Sequence, residues 1–156
     1  MSKAFTTDSD DEENTFDAPA LPPGTRNYIT PAGAARLREE VDRLNEERKH
    51  LGTSVEGKGR AQTIERRLRQ LIDRVEALEV IDPATQPKDR ILFGATVKVL
   101  DDGKEAEWRI VGLDEIDLDR GWISWMSPLA LALIDKHVGD VIPFLDRRLT
   151  ILKISY

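Results

Sequence analysis

The chain has 156 residues, of which 40% are hydrophobic, and its formal net charge is −6. This length suits one medium domain or two small ones, and the hydrophobic content is low for a single packed globule. The absence of cysteine excludes disulfides and thiolate metal sites, and it fits a reducing cytosol. No apolar run approaches the ~20 residues that span a bilayer, and no secretory signal pattern opens the chain. We therefore expect a cytoplasmic protein without a membrane partner.

Residues 1–26 predict an acidic, disordered arm. Residues 1–20 contain six acidic side chains against Lys3, a balance of −5, so the other 136 residues carry only −1 of the total of −6. Low hydrophobicity, with prolines and a glycine closing the segment, is typical of a chain that cannot form a core. A solubilising tail without specific contacts is the simplest interpretation. The alternative is an arm that touches a basic surface or mimics nucleic acid.

Residues 27–82 predict an antiparallel coiled-coil hairpin. Apolar residues recur in each arm at spacings of three and four, which keeps one stripe facing a partner helix. They are Leu37, Val41, Leu44 and Leu51 in the first arm, and Ile64, Leu68, Leu71, Val75 and Leu78 in the second. Thr30 before Pro31 is a favourable helix start, because threonine caps free amides and proline at the first helical position sacrifices no hydrogen bond. Each arm of about 20 residues would be roughly 30 Å long.

The tip of this hairpin is predicted to be a ten-residue connection, residues 51–60, in which three glycines interrupt regular helix. Its one carboxylate is Glu56, which lies near Lys58 and Arg60. A lone carboxylate amid positive charge is a weak magnesium ligand. We therefore predict no metal site and no catalytic residue at the tip, with Glu56 as the single acidic candidate.

After residue 82 the hydrophobic period changes from helical to two. Residues 83–89 predict a polar linker, and residues 90–156 predict a compact domain. Five strands are expected, at residues 95–99, 107–111, 122–125, 141–144 and 148–154, with a hairpin turn at residues 101–104. Ser127 and Pro128 open a helix over residues 129–136. Strands with one helix laid across them make an α+β domain.

Several motifs in the C-terminal domain and the hairpin carry a family resemblance. In the domain they are Ile-Ser-Trp-Met-Ser-Pro-Leu-Ala at residues 123–130 and His-Val-Gly-Asp at residues 137–140. In the hairpin they are residues 28–33, 64–68 and 78–82. In this order the motifs resemble the bacterial Gre transcription elongation factors, GreA and GreB, and residues 93–95 and 109–115 are more similar to GreB. The resemblance spans residues 27–156 and leaves out the acidic arm.

The resemblance implies an α+β fold with an N-terminal antiparallel α-helical coiled-coil hairpin, followed by an FKBP-like antiparallel sheet with one helix. It implies RNA polymerase as the partner, with the C-terminal domain docked near the rim of the polymerase secondary channel and the hairpin inserted through it. In the family, paired acids at the tip help to hold a second catalytic magnesium, and the polymerase then cleaves its own backtracked RNA. We therefore expect a monomer that is not itself an enzyme and has no cofactor of its own.

Two features depart from the family pattern. The tip carries Glu56 alone where the family presents an Asp and a Glu, and the hairpin is shorter by about two turns per arm, at about 3.6 residues per turn. In the docking segment, Met126 stands where the family has an acidic residue before Ser127 and Pro128. We predict an elongation regulator that docks on RNA polymerase through Met126, Ser127 and Pro128, without strong stimulation of transcript cleavage.

Two alternatives stay open. An active GreB-type factor would use Glu56, with a Mg²⁺ ion shared with the polymerase, to stimulate cleavage of backtracked RNA. An FKBP-like isomerase or chaperone module is suggested by the fold alone, and fold does not confer function.

Basic residues cluster at the start of the second arm. The candidates for contact with the nascent RNA or the channel wall are Lys58, Arg60, Arg66 and Arg67. Phosphates favour arginine, which supports such a contact. The alternative is a solvated face on which the cations pair with Glu46, Glu47 and Glu65, because basic and acidic residues are nearly balanced along the hairpin.

Overall fold

The computed structural model describes residues 19–156. Residues 1–18 of the predicted disordered arm lie outside the described residues. The helices are α1 (Pro31–Lys49), α2 (Val55–Glu76) and α3 (Pro128–Leu133). The strands are β1 (Asn27–Ile29), β2 (Leu78–Val80), β3 (Thr96–Asp101), β4 (Lys104–Val111), β5 (Trp122–Ser124), β6 (Val141–Phe144) and β7 (Arg147–Ser155). The α+β class is confirmed. Within this part of the chain no helix is long and apolar enough to cross a membrane.

The helices α1 and α2 form the hairpin that the apolar spacing predicts. Thr30 caps α1, because its hydroxyl accepts a hydrogen bond from Gly33 N–H at 3.2 Å, and Pro31 is the first helical residue. The seam between the helices is closed by Leu37, Leu44, Ile64, Leu68 and Leu71, each at most 8% exposed. Val41, Leu51, Val75 and Leu78 pack around them. The predicted seam is thus confirmed.

The connection at the tip is shorter than predicted. The helix α2 begins at Val55 with Ser54 as its N-cap, so residues 50–54 alone link the two helices. The Ser54 hydroxyl accepts a hydrogen bond from Gly57 N–H at 3.1 Å, which satisfies one of the free amides of the first turn. The expectation that Gly57 and Gly59 interrupt the helix is wrong. Glycine costs only about 1 kcal/mol in a helix, and a serine cap offsets a cost of that size.

A small parallel sheet closes the base of the hairpin. The strand β1 precedes α1 and β2 follows α2, with Asn27 opposite Leu78 and Ile29 opposite Val80. The N–H of Ile81 donates to Ile29 O at 2.9 Å and extends the pairing by one bond. Periodicity does not predict this sheet, because a three-residue strand is too short to show a period of two and Leu78 continues the helical spacing.

The C-terminal sheet has the strand order β5-β4-β3-β7-β6. Strands β3 and β4 form an antiparallel hairpin whose turn residues Asp102 and Gly103 have φ of 51° and 81°, in agreement with the predicted turn. β3 also pairs antiparallel with β7, and β7 with β6. β4 and β5 run parallel, so the sheet is mixed, and the expectation of a wholly antiparallel sheet is wrong at this edge.

The helix α3 packs on one face of this sheet, over a core separate from the hairpin seam. The core contains Ile91, Ala95, Val97, Val99, Ile110, Ile123, Ala130, Leu133, Ile142, Leu149 and Ile151. The helix ends at Leu133, three residues before the predicted end. The reason is that Asp135 N–H donates to Ile91 O at 2.8 Å and Ile91 N–H donates to Lys136 O at 2.9 Å, which holds the chain in an extended pairing. Two separate small cores account for the low hydrophobic content.

Candidate functional site

A tight turn into α2 builds the tip of the hairpin. Gly57 lies so close to the turn that a Cβ there would be 3.1 Å from the Gly52 carbonyl carbon and 3.2 Å from Ser54 Oγ. Val55, with 85% of its surface exposed, and Glu56, also exposed, then project from the first turn of α2. The structure therefore places the predicted acidic candidate at the end of the hairpin opposite β1 and β2, on a helix rather than in a loop.

Two other carboxylates lie near the tip, in the last turns of α1. Lys49 Nζ lies 2.7 Å from Glu46 Oε1, and Arg60 donates to Glu47 from Nε at 2.7 Å and from Nη2 at 3.2 Å. The hydrogen bond from Lys49 lowers the pKa of Glu46, and the hydrogen bond from Arg60 is the largest cause that lowers the pKa of Glu47. Both carboxylates are thus engaged by cations. Glu56 forms no ion pair within residues 19–156, and this region holds no cluster of three or more acidic or histidine side chains suited to a metal ion.

The four predicted cations of α2 lie in two different environments. Arg60 and Arg67 cross the hairpin seam to α1, and Arg67 Nε donates to Glu40 Oε1 at 3.1 Å. Lys58 and Arg66 are exposed, and neither forms an ion pair with the part of the chain that the structure describes. Pairing across the hairpin was an alternative from the sequence, although Glu40 was not among the expected partners. Contact with RNA or the channel stays a prediction for all four.

The predicted docking residues form the turn from β5 into α3. Ser127 Oγ accepts a hydrogen bond from Ala130 N–H at 3.2 Å, so this serine caps the helix. Met126 is half-buried, and its N–H donates to Ser124 Oγ at 3.0 Å. Pro128 is exposed as the first residue of α3. The cap therefore fixes the position of Pro128, which is exposed, beside the half-buried Met126.

Leu131 extends this apolar surface by one helical turn. It is 62% exposed and lies three residues after Pro128, on the same side of α3. We call Met126, Pro128 and Leu131 together the α3 surface. The sequence did not identify Leu131, because residues 129–134 are continuously apolar and offer no period that separates an outward leucine from the buried ones.

A buried carboxylate joins the hairpin to the sheet domain. Glu115 is 5% exposed and ends the 3₁₀ turn Leu113–Glu115, directly after β4. Its carboxylate accepts hydrogen bonds from Thr30 N–H at 3.1 Å and from Gly112 N–H at 3.0 Å, and the Thr30 hydroxyl donates a third. Gly33 makes room for it, because a Cβ there would lie 2.7 Å from Glu115 Cγ. The first turn of α1 is thus fixed on the sheet domain.

Asp114 forms the second contact of this joint. Arg74 Nε lies 2.5 Å from Asp114 Oδ1, and Asn27 Nδ2 donates to Asp114 Oδ2 at 2.9 Å. The side chains of Arg74 and Asp114 are only 15% and 5% exposed. The sequence did not predict this joint, because adjacent acidic residues after a strand are ordinarily exposed in a turn.

Three arginines of α2 form a row along one flank of the seam. Arg60, Arg67 and Arg74 are seven residues apart, which repeats one position of a coiled-coil heptad. The first two bind acids of α1 that are themselves seven residues apart, Glu47 and Glu40. The next step of seven on α1 reaches Gly33, which has no side chain, and there the sheet domain supplies the carboxylate of Asp114 instead. We call these three residues the arginine row.

Comparison with known proteins identifies the family. Residues 86–156 match the family model for the C-terminal domain of transcription elongation factor GreA/GreB. GreB from Neisseria meningitidis serogroup B is 42% identical over 135 residues, which covers 74% of this chain and 83% of that protein. The chain belongs to the GreA/GreB family. The resemblance found in the sequence is thereby confirmed for this Gre factor.

Other Gre proteins are similar over comparable lengths. GreA from Ralstonia nicotianae is 39% identical, with 72% of this chain and 84% of that protein covered. GreB from Yersinia pestis is 36% identical, with 73% and 77% covered. Among solved structures, GreA/GreB from Nitrosomonas europaea is 21% identical with a TM-score of 0.42 and covers 84% of this chain and 100% of that one. GreA factor homolog 1 of Thermus thermophilus is 21% identical with a TM-score of 0.39, and covers 85% and 100%.

This Gre factor is shorter than these relatives within the aligned region. The comparison with Neisseria GreB spans 135 positions but covers 74% of the 156-residue chain, about 115 residues. About 20 positions of that relative therefore have no counterpart here. The comparison with Ralstonia GreA spans 133 positions and 72% of the chain, about 112 residues, and gives a similar difference.

Proposed function

We propose that this Gre-family elongation factor binds RNA polymerase as a monomer through its C-terminal domain and inserts a shortened coiled coil into the polymerase secondary channel. Its effect there is regulatory occupancy of the channel, without strong stimulation of transcript cleavage. Any RNA cleavage would be carried out by the polymerase active site. The observation that carries this proposal is the chemistry of the tip. Of its three carboxylates, Glu46, Glu47 and Glu56, only Glu56 has no cation partner within residues 19–156.

The α3 surface supports the docking step. Met126, Ser127 and Pro128 lie within the region that matches the family's C-terminal model. The Ser127 cap holds the turn rigid, while Pro128 and Leu131 present apolar side chains outward from α3. Exposed apolar groups on a rigid element gain free energy when a partner covers them, and little ordering entropy opposes the contact. We assign this surface to the polymerase contact.

The shape of the hairpin supports the insertion step. The 22 residues of α2 extend over roughly 33 Å, at about 1.5 Å per residue. Most of its large apolar residues pack in the seam, and its outer sides are mainly polar apart from the exposed Val55 and Ile72, which suits a projection that enters a water-filled channel. We assign the positions that are missing relative to Neisseria GreB to this hairpin.

The tip geometry argues against strong cleavage stimulation. A second catalytic magnesium requires hard oxygen ligands, ordinarily several carboxylates, placed around one point. Near this tip, Glu46 and Glu47 are held by Lys49 and Arg60, and the cations that hold them also lower their pKa. Of these three carboxylates at the tip, only Glu56 has no ion pair within residues 19–156, so the tip would supply a single ligand from the protein side.

The cations of α2 support contact with the channel or the nascent RNA. Lys58 and Arg66 project from the helix and can meet phosphates directly. Arg60 and Arg67 are held by Glu47 and Glu40, so their contribution to a phosphate contact is partly neutralised. We expect Lys58 and Arg66 to contribute more to any RNA contact than the two cross-hairpin arginines.

A backtracked elongation complex with labelled RNA tests this proposal. We expect the wild-type protein to cause release of few 3′ RNA fragments, and the Glu56→Ala variant to give the same low level. We also expect the wild-type protein to inhibit the cleavage that a cleavage-active Gre factor stimulates when both are present. Inhibition without cleavage is the signature of channel occupancy. Robust cleavage that Glu56→Ala abolishes would show an active GreB-type factor instead. Failure both to bind core polymerase and to compete would overturn the docking proposal.

A further inference from the structure

The acidic N-terminal segment and α2 carry opposite charge and meet at a defined point. Residues 1–18, here called the acidic segment, contain six carboxylates and one lysine. Between Lys58 and Arg69, α2 contains five cationic side chains and one carboxylate. Arg74 donates from Nη1 and Nη2 to the carbonyl oxygen of Pro19, at 3.2 and 3.3 Å. The described chain therefore begins against α2, at the basal end of the arginine row.

We propose that the acidic segment docks along α2 of the same chain, with its carboxylates against the cations between Lys58 and Arg69. Length does not limit this contact. The helix from Arg74 to Arg60 rises by about 21 Å at about 1.5 Å per residue, while 18 residues can extend to roughly 60 Å. Tethering at Pro19 also keeps the carboxylates at high local concentration near α2.

The charges of the two helices explain why α2 is the site. Counted by its own residues, α2 carries five cations against one carboxylate between Lys58 and Arg69, and three of these cations, Lys58, Arg66 and Arg69, are exposed. On α1, residues 36–49 contain five cations and five carboxylates, so this helix offers the segment no net attraction. Because charge attraction at exposed groups extends only about 10 Å at 0.1 M salt, the carboxylates have to follow α2 closely to interact with these cations.

This inference goes beyond the proposed function and does not depend on it. A docked acidic segment would cover positive charge that α2 otherwise presents to phosphates. The contact consists of exposed ion pairs, each contributing about 0.2–1 kcal/mol, so it is reversible and sensitive to salt. Residues 58–69 of α2 would thus be covered in the free protein at low ionic strength and uncovered when a stronger polyanion competes.

A spin label tests the contact directly, because the chain has no cysteine to remove. Ser9→Cys places one label within the acidic segment of the full chain, and amide NMR signals report its proximity. We expect the signals of residues 58–69 to lose intensity at low salt and to recover at 1 M salt, where the Debye length is about 3 Å. We also expect recovery when the six carboxylates are replaced by their amides.

A matched pair of hairpin variants fixes the side of the contact. Arg66→Gln with Arg69→Gln removes two charges from α2, and Arg38→Gln with Arg48→Gln removes two from α1. We expect the α2 pair to restore the signals of residues 58–69 and the α1 pair to leave them weakened. Equal behaviour of the two pairs, no difference between the acidic and the amide segment, or broadening confined to the sheet domain would each overturn the proposal. So would broadening that arises only between labelled and unlabelled chains in a mixed sample.

Discussion

Thr30 binds Glu115 through both its backbone N–H and its hydroxyl, and the same hydroxyl caps α1 by accepting from Gly33 N–H. One residue therefore starts the hairpin and fixes it to the sheet domain. A helix start leaves several amides without hydrogen-bond partners, and burial removes these amides from water. A buried carboxylate at this place therefore accepts hydrogen bonds from donors that would otherwise be unsatisfied. The orientation of the hairpin on the domain follows from this contact and from the Arg74–Asp114 pair.

The first prediction concerns Glu115→Gln. A glutamine has one acceptor oxygen, and its amide group would meet one of the three donors that now bind the carboxylate. We expect the free energy of unfolding to fall by about 1–3 kcal/mol, the range for a buried hydrogen-bonding group left without its partner. Urea unfolding followed by circular dichroism measures it. Glu107→Gln, exposed on β4, is the matched control, and equal stability of the two variants would contradict this account.

Two glycines of the hairpin give the second prediction. In Gly33→Ala the new Cβ would lie 2.7 Å from Glu115 Cγ, whereas at Gly59 nothing lies within 4 Å. Both positions are helical, so alanine improves the helix propensity of each. We expect Gly59→Ala to stabilise the protein by about 0.5–1 kcal/mol and Gly33→Ala to destabilise it by about 1–3 kcal/mol. Thermal melts compare the two variants. Stabilisation by both would show that Glu115 and its neighbours make room for the new Cβ without a loss of stability.

The arginine row gives a graded third prediction. Double-mutant cycles on Arg60–Glu47 and Arg67–Glu40 should each give a coupling of about 0.2–1 kcal/mol, because all four side chains keep contact with water. The Arg74–Asp114 cycle should give more, about 1.5–3 kcal/mol, because both side chains are largely buried and hydrogen-bonded. Methionine and alanine replacements in urea unfolding provide the cycles. Equal coupling at all three positions would mean that burial does not control the strength of these pairs.

The seam, the caps and most strands follow from the sequence because each leaves a local signal. Leu68 and Leu71 repeat at helical spacing, Thr30 precedes Pro31, and Asp102-Gly103 marks a hairpin turn. These features are decided by neighbours along the chain.

The joint leaves no such signal, because the contact between Thr30 and Glu115 spans 85 residues and depends on two domains meeting. The free-energy cost of burying Glu115 is offset by hydrogen bonds from amides whose positions the sequence does not predict. The same reason conceals the exposure of Leu131 within a continuous apolar run. At the tip, Ser54 favours the start of a helix, whereas Gly57 disfavours helix. The structure has α2 beginning at Val55 with Ser54 as its N-cap, so the helix includes Gly57.

The last prediction tests the α3 surface against RNA polymerase. Leu131→Glu places a charge one turn from Pro128, where the proposed contact would have to desolvate it, so we expect at least a roughly tenfold loss of affinity for core polymerase. Leu118→Glu is the matched control, since Leu118 is 71% exposed and lies in the chain between β4 and β5. Both leucines already face water, so neither change should shift the melting temperature by more than a few degrees. Retained affinity in Leu131→Glu, or equal loss in both variants, would move the polymerase contact away from α3.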